Sequence, residues 1–281
     1  MVRKIENINE PFDFETHKHQ YDTIGDYIQK YIQREMMDMY GLKEVWVPED
    51  EHIDESLRTL PKCNVFMSPQ IHKPAPAMNK GRKALVLIQG SGGIRAGMWA
   101  RSACIYDNLE TGSMLPFLEA AMNQGIPVLV MNPNFNHDAE TGQAIPFNAD
   151  MSDHARWVWE YIRESGFDQV DIVAHSAGGG CLRDIMWTYD DSLWDQVKQI
   201  AYTDSWVVNK YALSERGLEF MATNAMHYRA SELPKGEKIE GQHAWIHDSA
   251  CPAVSAGHIS HEYSTGTAMD LIFKQFKYTC N

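Results

Sequence analysis

One stretch constrains the fold of this chain more than any other: Val170-Asp-Ile-Val-Ala-His-Ser-Ala-Gly-Gly-Gly180 runs from an apolar segment, through a serine, into small residues and then a helical pattern. A continuous apolar run bounded by small residues reads as a strand buried on both faces, as in parallel sheets. A serine on a sharp strand-to-helix turn needs small neighbours two positions before and after it, because its backbone is strained and adjacent segments press close. Ala174 and Gly178 fill those positions, giving A-x-S-x-G in place of G-x-S-x-G. Ser176 is therefore the candidate nucleophile. Ala177, at the start of the helix, offers its N–H to an oxyanion forming on an attacked carbonyl. The competing reading is a Gly-rich turn that serves only to pack a helix against a sheet.

After Lys83, short apolar segments alternate with longer amphipathic ones, the pattern of a parallel sheet covered on both faces. Strands are expected at 84–89, 128–132, 170–175, 199–203 and 253–255, and helices at 113–124, 150–165, 179–189 and 267–278. Gly125 and Gly166 stand where helix C-caps belong. Before Lys83 the spacing predicts a helix over 21–40, edge strands at 44–47 and 64–67, and a Pro-rich connector over 69–83. The expected fold is α/β-hydrolase-like: a doubly wound, mostly parallel central sheet with helices on both faces. At 281 residues the chain fits one domain spanning 1–281, since single cores stop growing near roughly 250–300 residues. Residues 1–41 form its N-terminal helical segment. Residues 206–248, rich in Tyr, Met, His and Glu with no clear strand pattern, read as a cap or lid insertion.

A hydrolase needs a second oxyanion donor, and Leu87-Ile-Gln-Gly-Ser-Gly-Gly93 supplies a loop whose N–H groups at Ser91 and Gly92 are candidates. Its glycines do not give G-x-G-x-x-G, so a dinucleotide is not expected, nor is any other cofactor. The triad acid and base should follow the serine in that order. Asp204 ends the 199–203 strand, at the sheet edge where ligands bind in open α/β folds, with Asp248 a weaker alternative. Either His258 or His261 can serve as the base, and spacing does not choose between them. Thr16-His-Lys-His19 and the pair His243 and His247 lack a third ligand, so no metal is expected.

Composition removes other classes. A formal charge of −13 opposes binding along a phosphate backbone, so no direct nucleic-acid contact is expected. No apolar run approaches the roughly 20 residues of a membrane span, and the first residues lack the apolar core of a signal peptide. The five cysteines are scattered, without a C-x-x-C pair, and read as buried free thiols. An intracellular setting, cytoplasmic or nuclear, is the expectation.

Four segments together resemble a known family: Leu85-Val-Leu-Ile-Gln-Gly-Ser-Gly-Gly-Ile-Arg-Ala-Gly-Met-Trp-Ala-Arg101, Val130-Met-Asn-Pro-Asn134, Ala174-His-Ser-Ala-Gly-Gly179 and Val254-Ser-Ala-Gly-His-Ile-Ser-His-Glu262. They look like the Argonaute-binding-protein-two, or Arb-type, domain, and the similarity runs from about Trp46 to the C-terminus. That family includes a partner of Argonaute, the C-terminal domain of some fungal class II histone deacetylases and a metazoan cotranscriptional regulator. The resemblance implies an α/β-hydrolase fold with Ser176 at the nucleophile position and Asp204 in a matching T-D-S segment. It favours His261 over His258, because the family loop reads S-A-G, three variable residues, then His-Glu.

Two functions are thus expected. In the first, Ser176 attacks an ester, thioester or amide of a small acyl substrate, His261 moves the proton, Asp204 orients it, and Ala177 with Ser91 or Gly92 holds the oxyanion. In the second, the domain is catalytically silent and binds a protein partner in a small-RNA or chromatin-type assembly. Arg95, Trp99 and Arg101 serve either as anchors of such an interface or, the preferred reading, as braces of the oxyanion loop.

Overall fold

In a computed structural model that describes residues 17–240 and 249–279, the chain builds one eight-stranded sheet. Its strands are β1 (Lys43–Val47), β2 (Cys63–Met67), β3 (Lys83–Ile88), β4 (Val128–Val130), β5 (Gln169–His175), β6 (Val197–Thr203), β7 (Ala225–Arg229) and β8 (Ala253–Ser255). They lie in the order β1-β2-β4-β3-β5-β6-β7-β8. β2 pairs antiparallel with both β1 and β4, whereas every pairing from β4 across to β8 is parallel. This is the doubly wound, α/β-hydrolase-like arrangement.

The strands at its centre read as unbroken apolar runs because both of their faces are covered. Along β3, Ala84, Val86 and Ile88 pack into one core, while Leu85 and Leu87 pack into the other. The first core is closed by the helices Met151–Ser165 and Gly178–Tyr189 through Trp159, Leu182 and Ile185. The second is closed by the helices Lys18–Asp38, Leu115–Met122 and Ser264–Phe276 through Ile32, Met36, Phe117 and Ile272. Each such apolar side chain, taken fully out of water, contributes about 1.5–3 kcal/mol.

Local signals set the helix ends. Asp150 accepts hydrogen bonds from the N–H groups of Ser152 and Asp153, both at 2.8 Å, and Gly166 closes the same helix at φ 80°. Asp150→Ala leaves those donors to water and is expected to cost about 1 kcal/mol, seen as a thermal midpoint lower by about 2–4 °C.

The structure departs from the sequence expectations in three places. Residues 225–229, expected within a lid, are strand β7 of the central sheet. Ala-Met-His-Tyr-Arg has no β-branched residue, and its strand state comes from pairing with β6 and β8 on either side. The rest of the described part of that region holds the helix Glu215–Asn224 and a short turn at Lys210–Ala212. Residues 241–248, with His243, His247 and Asp248, lie outside the described residues. β2, expected at an edge, lies between β1 and β4. Finally, the connector over 69–83 contains two single-turn helices, Pro69–His72 and Pro76–Asn79, each begun by a proline whose missing N–H costs nothing there. Cys63, Cys104, Cys181 and Cys251 are buried free thiols, and no described helix is long and apolar enough to cross a membrane.

Candidate active site

β5 ends at His175 and the next helix begins at Gly178, so Ser176 sits in the turn between them, with φ 53°. A residue other than glycine held in that region costs of order 1–3 kcal/mol and needs surroundings that over-determine it. Here they do. The Ser176 N–H donates to the Thr203 carbonyl at 3.1 Å, and its own carbonyl accepts from the Ser205 hydroxyl at 2.7 Å and the Trp206 N–H at 3.1 Å. The glycines give the room: a Cβ on Gly178 would lie 2.6 Å from the Ile88 carbonyl oxygen, and one on Gly90 would lie 2.7 Å from Ser176 Cβ. The Gly-rich pattern therefore packs the helix against the sheet and holds the serine at the same time.

Asp204 follows β6 and is also left-handed, with φ 40°, fixed by its N–H donating to the Tyr228 carbonyl at 2.8 Å. Its carboxylate takes two hydrogen bonds, one from His261 Nδ1 at 2.6 Å and one from the Ala230 N–H at 3.2 Å. Because a carboxylate only accepts, Nδ1 carries the hydrogen and Nε2 is left with its lone pair, the form a general base needs. Burial alone would raise the Asp204 pKa, but the hydrogen bond and charge of His261 outweigh it and hold the carboxyl below its usual range. The bond to Asp204 raises His261 above the ordinary histidine value against the opposing effect of its desolvation.

His258 is engaged elsewhere. Its Nδ1 accepts from the Ser260 N–H at 3.0 Å and its ring stacks on Tyr263 at 4.5 Å. The geometry thus joins Asp204 to His261, the histidine that the family resemblance favours.

Ser176 and His261 open onto one cavity of about 220 Å³, whose walls include Ser91, Trp99, His175 and Tyr21. Of the two loop donors expected, Ser91 lines this cavity, whereas Gly92 is not among its lining residues. Ala177 caps the following helix, where the first N–H groups have no partner within the helix.

Two residues of this cavity carried no assignment in the sequence. His175, one position before the serine, lies fully buried; its Nδ1–H donates to the Thr203 carbonyl at 3.0 Å, and its ring lies 4.7 Å from that of His261. Burial, reinforced by the neighbouring His261, pushes its pKa down to about 4, so it stays neutral beside the candidate base. Tyr21 comes from the Lys18–Asp38 helix, to which the sequence gives no part in the site. That helix is docked through the R-A-G-x-W-A-R segment: Arg101 pairs with Asp26 at 3.2 Å and Asp22 at 3.6 Å, and a Cβ on Gly97 would lie 2.6 Å from Ile32. Trp99 is buried edge-on against Phe117 at 5.6 Å, and Arg95 donates to the Ile94 carbonyl and lies over the Phe135 ring. Each of the three side chains is engaged within the protein, Arg101 on the Lys18–Asp38 helix, Trp99 in the core and Arg95 on Ile94 and Phe135.

Among the described residues, one group of three ligand-type side chains lies within reach of a common ion, Glu49, Glu51 and His52. It shares no residue with the Ser176 cavity.

Comparison with known proteins adds the following. The Arb2 domain family model matches residues 1–141 and 135–235. The chain is 28% identical to the cotranscriptional regulator ARB2A homolog of Dictyostelium discoideum over 97% of this chain and 75% of that protein. It is 28% identical to the cotranscriptional regulator ARB2A of Homo sapiens over 91% of this chain and 70% of that protein. Among solved structures, a histone deacetylase from Saccharomyces cerevisiae superposes with a TM-score of 0.56 at 11% identity, covering 90% of this chain and 98% of that one. The histone deacetylase Clr3 gives 0.56 at 11% identity, over 90% of this chain and 38% of the other. At those identities the two structures speak for the fold alone.

Proposed function

The chain belongs to the Arb2 domain family, and from that premise we propose that it is a serine hydrolase acting, as one domain, on an ester, thioester or amide of a small acyl group. The observation that carries this reading is the 2.6 Å hydrogen bond from His261 to Asp204 on the wall of the cavity that also holds Ser176 at its strained turn. A buried turn that only packed a helix would have no use for an oriented imidazole beside it.

In the proposed reaction Ser176 Oγ attacks the carbonyl carbon and His261 Nε2 takes its proton. The N–H groups of Ala177 and Ser91 hold the resulting oxyanion. Collapse of the intermediate expels the leaving group, which takes the proton back from His261, and leaves the acyl group on Ser176. Water, deprotonated by the same histidine, then attacks the acyl carbon, the bond to Ser176 breaks, Oγ takes the proton back from His261 and the acid leaves. The cavity, at about 220 Å³, is smaller than the roughly 300–1,000 Å³ of sites for drug-sized ligands, which favours a short acyl group. A fluorophosphonate probe tests the reading: a covalent adduct on the peptide containing Ser176 is the expected result, and a folded protein that takes no label overturns it.

The pH dependence has a definite sign. His261 must be neutral to accept a proton and its pKa is raised, so turnover is expected to climb with pH through a midpoint above the ordinary histidine value of about 6.5. Asp204→Asn removes the main cause of that rise and should move the midpoint downward while lowering the plateau. Stability runs the other way. The raised His261 stabilises the fold below the ordinary histidine pKa and loses that contribution as pH rises through its folded value. The lowered Asp204 contributes above the ordinary carboxylate pKa and loses this as pH falls. The pair is thus fully stabilising only between about pH 4 and pH 6.5, below the range where turnover is highest. A midpoint at or below that of free histidine would count against His261 as the base.

A second reading is a protein-binding role inside the cell, in a nuclear assembly. It is favoured by relatives named cotranscriptional regulators and by two exposed tryptophans, Trp187 at 55% on the helix that follows the serine turn and Trp206 at 63% beside the glycines that begin it. Tryptophan is over-represented among residues that carry binding energy. Ser176→Ala separates the two readings, since a binding role survives it and a hydrolytic one does not.

A further inference from the structure

On the opposite face of the sheet from the Lys18–Asp38 helix, a second cavity, of about 260 Å³, lies against the helix Met151–Ser165 and is lined by His52, Trp157, Glu160, Tyr161 and Glu164. Positions 157, 160, 161 and 164 share one face of that helix, being spaced by three and four residues. His52 adds a third ring from the short turn Asp50–His52, with its centroid 6.2 Å from that of Tyr161.

Two of the rings, Tyr161 and Trp157, are held in place by contacts that do not use the cavity. Tyr161, the buried member of the set, donates its hydroxyl to Glu49 at 2.6 Å. Phe147 stacks on one side of the Trp157 indole at 4.3 Å and 11°, and the cavity meets what remains of that ring. Of the two carboxylates, Glu160 is engaged by Arg163 and by the Tyr189 hydroxyl. Glu164 forms no ion pair among the described residues. The cavity thus combines ring walls, which attract cations through their negative faces, with a carboxylate in no ion pair, and no lysine or arginine is among the described residues that line it.

We propose that this cavity binds a methylated ammonium group. A bare ammonium or a metal ion would be better served by carboxylates and water than by three rings. A neutral apolar group would gain nothing from Glu160 and Glu164. A methylated ammonium uses both features, since its methyl groups pack on the rings while its diffuse charge faces Trp157, Tyr161 and Glu164. The volume suits a headgroup of this size. The site shares no residue with the Ser176 cavity, so it stands whether or not the protein is a hydrolase.

Calorimetric titration of the whole chain, at fixed ionic strength, with tetramethylammonium, choline, Nε-trimethyl-lysine and the neutral carbon analogue of choline tests the proposal. Saturable binding of the charged probes, with the neutral analogue at least about tenfold weaker, is the expected result. Trp157→Ala should weaken tetramethylammonium by about tenfold. Exposed Glu164→Gln, which leaves the packing untouched, should weaken it by a smaller but measurable factor. Preference for choline would assign the site to a small-molecule headgroup, and preference for trimethyl-lysine to a modified side chain. Equal binding of the neutral analogue, no binding of tetramethylammonium, or binding unchanged in both variants would overturn it.

Discussion

Ser176→Ala is expected to abolish fluorophosphonate labelling and to lower turnover of a short-chain ester by a factor on the order of 10⁵ to 10⁶, with the unfolding midpoint unchanged. The reason lies in how the turn is held. Among the described residues every hydrogen bond that fixes residue 176 uses its backbone, so alanine inherits the same supports and only the attacking oxygen is lost. His261→Ala should cost nearly as much, and the double variant little more than either single one, because nucleophile and base act as a unit. Asp204→Asn should cost on the order of 10⁴, since the amide changes which imidazole nitrogen carries the hydrogen. Turnover that persists in Ser176→Ala within tenfold of the parent would place the chemistry elsewhere.

Trp99→Ala carries the largest expected loss of stability, about 3–5 kcal/mol. Trp99 is fully buried between Phe117 and His175, at 5.6 and 6.3 Å between ring centroids, and it also lines the Ser176 cavity. Its removal opens a void beside the cavity and takes away one of the rings packed on His175, which keeps its bond to Thr203. At roughly 2–4 °C per kcal/mol for a domain of this size, thermal unfolding should fall by about 6–20 °C. Its indole N–H has no hydrogen-bond partner among the described residues, so Trp99→Phe keeps much of the packing, discards that buried donor and should cost far less. If Trp99→Ala lost under about 1 kcal/mol, the bracing role would be wrong.

The parts of this architecture that were legible in the sequence are those dictated by local pattern. β3 and β5 are recognisable because burial on both faces leaves no polar alternation. The turn at Ser176 is recognisable because Gly90, Gly178 and Gly179 answer to steric contacts that only glycine survives. β7 escaped notice because its strand state is conferred by its neighbours. His175 escaped because a single intervening position in a motif carries no signal until the ring beneath His261 is seen. Tyr21 escaped for a related reason: a helix stripe announces that a face is buried without saying what it is buried against. The choice between His258 and His261 rests on which loop residue reaches Asp204, a matter of three-dimensional path that residue spacing does not encode.

The docking of the Lys18–Asp38 helix has a wider meaning. Arg101 reaches back 75 residues to Asp26, and His261 reaches 57 residues back to Asp204, so the cavity wall and the imidazole come from distant parts of the chain and meet over a turn near its middle. The sheet alone does not make the site. Anything that lifts that helix, whether a binding partner, a modification of Asp22 or Asp26, or a cut before residue 38, removes a wall from the serine's cavity and leaves the sheet's hydrogen bonding intact. The shape of the cavity around Ser176 thereby depends on a surface element that can be reached without touching Ser176, Asp204 or His261.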